Sequence, residues 1–177
     1  MRLRLIALVL STALIGCQDR EPIAAPIAPQ ASAPAATLQR VAYISVSDLN
    51  PDAGSTIVVV GNVGVSDSLS VASFVARLAY DPTTLHYLDE VQLPDMMRVV
   101  NPQEKQITVA AASATGSSDG RLFKVRFRVD NPAGLASLGL SLDEMNDRQF
   151  NSQLSTLTFS PALHLDRSLV PDRVSRH

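Results

Sequence analysis

The chain has 177 residues, with 15 Lys+Arg against 17 Asp+Glu and a formal net charge of -2. That balance argues against a nucleic-acid binder held by phosphate contacts. A single cysteine excludes an internal disulfide and a zinc site built on several thiolates, while 46 % hydrophobic residues suffice for the core of one domain.

Arg2 and Arg4 give the chain a positive start, and a mostly apolar stretch follows from Leu5 to Leu14. At about ten residues it is too short to span a bilayer, which takes about twenty. Small Gly16 then precedes the lone Cys17. Charge, a short apolar run and a small residue are the parts of a secretory signal. The run "LIGC" resembles the bacterial lipobox, in which a leucine stands three residues before the cysteine. The resemblance implies cleavage before Cys17, a diacylglyceryl group on its sulfur and acylation of the new amino group. Two or more acyl chains anchor a protein stably where one holds it only marginally. Residues 1–16 are therefore expected to be a lipoprotein signal peptide, and 17–37 the lipidated cysteine with a spacer. That spacer, "REPIAAPIAPQASAPAAT", carries Pro22, Pro26, Pro29 and Pro34. Each proline fixes φ and lacks an N–H, so the segment is expected to be a semi-extended tether. Gln18 after the cysteine, in place of aspartate, favours sorting to an outer membrane, facing the periplasm or the surface.

From Leu38 the texture changes. "VAYISVSDL" and "STIVVVGNVGV" are rich in β-branched residues and flank the turn signal Asn50-Pro51-Asp52-Ala53-Gly54. "VASFVARLAY", "TLHYLDEV", "MMRVVN", "KQITVAAAS", "GRLFKVRFRV", "LASLGLSLDEM" and "STLTFSPALHL" follow, separated by Asp-Pro, Leu-Pro-Asp, Asn-Pro and Gly-rich breaks. About nine short strands spaced by turn chemistry predict an all-β sandwich or barrel. "DEMNDRQFNSQ" is expected to hold at most a turn of helix. Period 2 assigns the faces. Phe74, Ala76, Leu78 and Tyr80 are expected to point inward, as are Ile107, Val109 and Ala111. Leu138, Leu140 and Leu142 form a third inward set, and Phe123, Val125, Phe127 and Val129 a fourth, with Leu122 out of phase. Lys124, Arg126 and Arg128 make an outward basic stripe, expected to be a solvated sheet face. The domain is expected over 38–165, with a disordered Arg-rich tail over 166–177.

Two clusters carry a resemblance. One is Phe74-x-x-x-Leu78-x-Tyr80-Asp81-Pro82 followed by Leu85; the other is the Ile107 strand, a small-residue loop, and Gly120-x-Leu122-Phe123-x-Val125-x-Phe127. Their order and spacing, from about Val41 to Leu165, resemble the cohesin domain of cellulosome scaffolds and the related carbohydrate-binding modules. The resemblance implies a nine-stranded jelly-roll β-sandwich that binds a dockerin-type protein or a polysaccharide, in a setting of polysaccharide breakdown. Asp81 is expected to cap a turn through backbone N–H groups, with Pro82 presetting φ, and Gly120 to open a long strand.

No Gly-x-Ser-x-Gly elbow and no His pair at metal spacing occurs. His86 sits in a predicted strand and is expected at the surface. Asp89-Glu90 and Asp143-Glu144 are adjacent on strands, so the members of each pair are expected on opposite faces. Asp143 to Asp147 lacks the glycine and the spacing of a calcium loop. No enzyme, no cofactor and no metal is expected. The outward positions Val75, Thr108, Ala110 and Ser141 are the candidate binding residues. They are small, with Ala112 and Gly139 nearby, and suit docking of a protein. In cohesins a comparable sheet face binds the dockerin helix. Trp is absent and aromatics are 5 %, with Tyr43 and Tyr87 the outward candidates, which argues against a flat aromatic platform for crystalline cellulose. The alternative reading is a structural envelope or assembly component with no dockerin partner.

Overall fold

Nine strands form among the described residues; apolar and polar residues alternate in some, as the burial of Val71–Ala79 and Arg121–Val129 shows, while Thr56–Val63 is buried along nearly its whole length. They are β1 (Arg40–Val46), β2 (Thr56–Val63), β3 (Val71–Ala79), β4 (Leu85–Glu90), β5 (Met97–Pro102), β6 (Gln106–Ser117), β7 (Arg121–Val129), β8 (Gly139–Asp147) and β9 (Leu157–Leu165). The computed structural model describes residues 40–64 and 70–169. The expected signal 1–16, Cys17 with its spacer 17–37, and residues 170–177 of the expected tail lie outside the described residues.

The strands form two sheets, one of five in the order β4-β7-β2-β1-β9 and one of four in the order β5-β6-β3-β8. Neighbours are antiparallel except β1 and β9, which run parallel from Arg40–Leu157 to Val46–Leu165. Between the sheets lies one core, to which β3 gives Phe74, Ala76, Leu78 and β6 gives Ile107, Val109, Ala111. From β7 come Phe123, Val125, Phe127 and Val129, and β8 gives Leu142 and Met145. The predicted phases hold in all four strands. Tyr80, just beyond β3, is also inward, stacked edge-on with Phe127 at 5.1 Å while its hydroxyl donates to the Gln103 carbonyl at 3.0 Å.

Two ladder irregularities set residues apart from simple alternation: the first accounts for the out-of-phase Leu122, the second changes the expectation for Asp143 and Glu144. Leu122 is buried beside Phe123. Gly61 pairs with Phe123 but Asn62 with Arg121, so Leu122 is an extra residue in a β-bulge. On β8, Val75 pairs with Glu144 and Ala76 with Leu142, which makes Asp143 the extra residue. Asp143 and Glu144 are therefore both exposed on one face, not on opposite faces. "DEMNDRQFNSQ" holds no helix over its first part, because β8 runs through Asp147. Asp147 then organises the turn: its Oδ1 accepts the backbone N–H groups of Gln149 at 2.9 Å and Asn151 at 3.0 Å, and its Oδ2 the Gln153 amide at 2.8 Å.

Residues 166–169 were expected in the tail, yet Arg167–Leu169 form a 3-10 turn. Leu169 is buried on Val58 and Val60, on the outer side of the five-stranded sheet. The Asp81 turn is as expected. Its carboxylate accepts from the Thr83 N–H at 2.9 Å and the Thr83 hydroxyl at 2.7 Å, which holds the carboxyl below its ordinary pKa.

Candidate functional site

The outer face of the four-stranded sheet is built by the positions that alternate away from the core. Cross-strand pairing arranges them in rows. One row is Val99 on β5, Ala110 on β6, Val75 on β3 and Glu144 on β8. The next is Asn101, Thr108, Arg77 and Ser141. A row on the other side runs Met97, Ala112, Ser73 and Asn146. All four candidate residues thus meet on one face: Val75 directly opposes Ala110, and Thr108 and Ser141 flank Arg77. Ala110 and Ser141 are exposed, and Val75 and Thr108 half-buried.

Two residues of this face escaped the sequence reading. Met97 is 85 % and Val99 70 % exposed, which makes them the most solvent-accessible large apolar side chains among the described residues besides Phe150. They continue the apolar surface from Ala110 and Ala112 to the edge of the sheet. The signal was hidden because Met96-Met97 and Val99-Val100 are each two apolar residues in a row, so alternation gave no phase. The chain resolves it with Arg98, which points the other way. Its guanidinium donates to the carbonyls of Leu122 at 2.8 Å and Leu93 at 2.9 Å. Burial pulls its pKa below the ordinary arginine value.

Polar groups lie at the opposite edge. Arg77 bonds Asp143 at 2.5 Å, and Asn146 donates to Glu144 at 2.6 Å and to Ser73 at 3.1 Å. The face therefore grades from apolar on β5 and β6 to charged on β3 and β8. No aromatic side chain occupies its rows. With strands about 4.8 Å apart, four of them make a surface roughly 14 Å across, wide enough for one α-helix of about 10 Å diameter.

The basic stripe lies on the other sheet. Arg126 there is held by Asp89 through two hydrogen bonds, and Arg128 by Asp130 at 2.9 Å. These partners keep Asp89 and Asp130 below their ordinary pKa values, chiefly through the hydrogen bonds. Two of the three stripe residues thus have their charge answered within the sheet, as befits a solvated face. His86 is exposed on β4. Among the described residues no three His, Cys, Asp or Glu side chains gather to hold a metal ion.

No family model matches the sequence, and no curated protein matches it. Solved structures do. A non-cellulosomal cohesin from the hyperthermophilic archaeon Archaeoglobus fulgidus shares 26 % identity at a TM-score of 0.51, over 68 % of this chain and 86 % of that one. The sixth cohesin of Acetivibrio cellulolyticus scaffoldin B, solved in complex with a mutant Cel5 dockerin, shares 17 % identity at a TM-score of 0.53, over 71 % of this chain and 99 % of that one. A type II cohesin domain from the cellulosome of the same organism matches at 12 % identity and a TM-score of 0.52, over 69 % of this chain and 92 % of that one. Two sheets, nine strands and these neighbours together identify the described part of the chain as a domain with the cohesin fold.

Proposed function

We propose that this domain is a non-catalytic docking module whose four-stranded sheet receives a helical, dockerin-type protein, and that Cys17 holds it to a membrane through lipid. The observation that carries the reading is the aromatic-free outer face on which Val75, Ala110, Met97 and Val99 form a continuous apolar surface. Such a face suits a helix laid across strands better than a sugar ring, which binds best against aromatic planes. That a similar domain was solved with a dockerin supports the same choice of partner. The Archaeoglobus neighbour is non-cellulosomal, which favours a second reading: an envelope or assembly component whose partner belongs to no cellulosome. Localisation at an outer membrane rests on the lipobox resemblance and Gln18.

The test uses the full chain as bait against the source cell's envelope proteins, with a recovered partner re-expressed and its affinity measured. Ala110→Arg places a charge in the middle of the apolar rows. It should leave the unfolding free energy within about 0.5 kcal/mol of the parent and weaken capture by several kcal/mol. Lys124→Glu, on the other sheet, should leave capture unchanged. A folded Ala110→Arg variant that still binds would move the site off this face. Cys17→Ser should release the protein from membranes or leave an unprocessed precursor; unchanged processing and membrane association would remove the anchor.

A further inference from the structure

The outer face of the five-stranded sheet holds a second surface that docking on the other sheet does not use. Along this face β2 presents Val58 and Val60, an apolar floor that Leu169 covers. Beside them the floor turns polar. Asn62 stands opposite Tyr43, and Ser45 lies between Val60 on one side and His164 on the other. Ser45 and Asn62 are 4 % and 7 % exposed. The Asn62 amide donates to Ser45 Oγ at 2.9 Å and to the Val60 carbonyl at 3.1 Å. Burying such a pair costs desolvation that a further valine would avoid. The fold alone does not call for it.

These two residues floor a concavity of about 630 Å³, walled by Tyr43, His164, Asp166 and Arg167. The volume falls within the range of about 300–1,000 Å³ usual for small-ligand sites. The Tyr43 and His164 rings meet edge to face at 4.8 Å and 66°, forming a corner. Asp166 is fixed from two directions. Its N–H donates to the Val46 carbonyl at 2.9 Å, and its Oδ1 accepts the Ser168 N–H at 2.9 Å and hydroxyl at 2.6 Å. Among the described residues Asn62 Oδ1 and Asp166 Oδ2 accept no hydrogen bond, and the Ser45 hydroxyl donates none. A rigid site therefore offers two acceptors and one donor beside an aromatic ring.

We infer that this concavity is a carbohydrate subsite that takes one sugar residue of a glycan. Sugar hydroxyls donate to Asn62 Oδ1 and Asp166 Oδ2, another accepts from Ser45, and the C–H face of the ring packs on Tyr43. Phosphate or sulfate fits less well, because the Asp166 carboxylate would repel it and offsets Arg167 in the wall. The site faces away from the docking sheet, so a glycan and a protein could be held together. The inference stands independently of the docking reading.

The full chain is titrated with cellotriose, xylotriose, maltotriose and chitotriose, each to about 10 mM, the range in which a single-sugar subsite of Kd ~1 mM saturates. Binding is read by calorimetry and by the imidazole NMR signals of His164. At least one trisaccharide should shift His164 saturably. Tyr43→Leu, which keeps an apolar side chain but removes the aromatic ring, should weaken binding about tenfold, the effect of 1.4 kcal/mol. Asp166→Asn keeps the Oδ1 cap on Ser168 but replaces the free acceptor, and should weaken it as well. Lys105→Gln, at an exposed position in the turn between β5 and β6 and in neither surface, should not change it. Saturation by none of the four, a shift with sodium sulfate in their place, or wild-type affinity in both Tyr43→Leu and Asp166→Asn overturns the subsite.

Discussion

Gly61 shows how much one hydrogen atom can matter in a packed sheet. It lies on the core side of β2 opposite Phe123, whose ring covers the space where a side chain would begin. A Cβ at this position would stand 2.4 Å from Phe123 Cε1. Its backbone is ordinary strand, so alanine brings no conformational penalty and the effect isolates the clash. Gly61→Ala should therefore destabilise the domain by about 1–3 kcal/mol, the usual cost of overpacking. Urea unfolding would measure it, and an unchanged midpoint would show that the ring can slide aside. The carboxylates act at the same scale. Asp81, Asp89, Asp130 and Asp147 all sit below their ordinary pKa of 3.8, held by hydrogen bonds from Thr83, Arg126, Arg128 and Asn151. A carboxylate whose folded pKa is depressed contributes stability above its unfolded pKa and loses it as pH falls through the folded value. The melting temperature should thus hold from neutrality to about pH 5 and drop below about pH 4. Asp147→Asn should make that acid limb shallower, and an unaltered limb would mean that its turn contributes nothing to acid sensitivity.

At the scale of strands, period 2 carried most of what the sequence could say. β3, β6, β7 and β8 each interleave large apolar residues with small or charged ones, so their inward faces were legible before any coordinates. Because Val75, Thr108, Ala110 and Ser141 are the complements of those inward sets, their common face was legible too, although their role in binding is a proposal. What alternation cannot encode is a ladder slip. The bulges at Leu122 and Asp143 depend on the partner strand, and no local pattern announces them. The phase of β5 was hidden by its paired apolar residues, and with it the exposure of Met97 and Val99. Leu169 was missed for another reason. It is one of three aliphatic residues, with Val170 and Val174, scattered without period through the Arg-rich tail, and its burial depends on Val58 and Val60, more than a hundred positions earlier. Tertiary contact of that kind has no periodic signature. The polar floor of Ser45 and Asn62 belongs with it, since each occupies an outward position where polarity is unremarked until a wall rises around it.

The described domain is closed by a pairing between its first and last strands in sequence. β1, the first strand, lies between β2 and β9, and its parallel ladder with β9 extends from Arg40–Leu157 to Val46–Leu165. A contact between such distant segments costs loop-closure entropy before it returns any stabilisation, and folds dominated by such contacts form slowly. Until β9 arrives, β1 is an unpaired edge, the kind of strand that recruits other chains. A chain ending at Thr156 should therefore fail to melt cooperatively and should aggregate, whereas one ending at Leu169 should fold; cooperative melting of the shorter chain would make β9 dispensable. For a chain made from its N-terminus, the consequence is one of timing. Every strand before β9 can emerge and the sandwich is still open, so folding waits on residues 157–165. The interval before closure is the period in which the chain most needs to be shielded from its own copies.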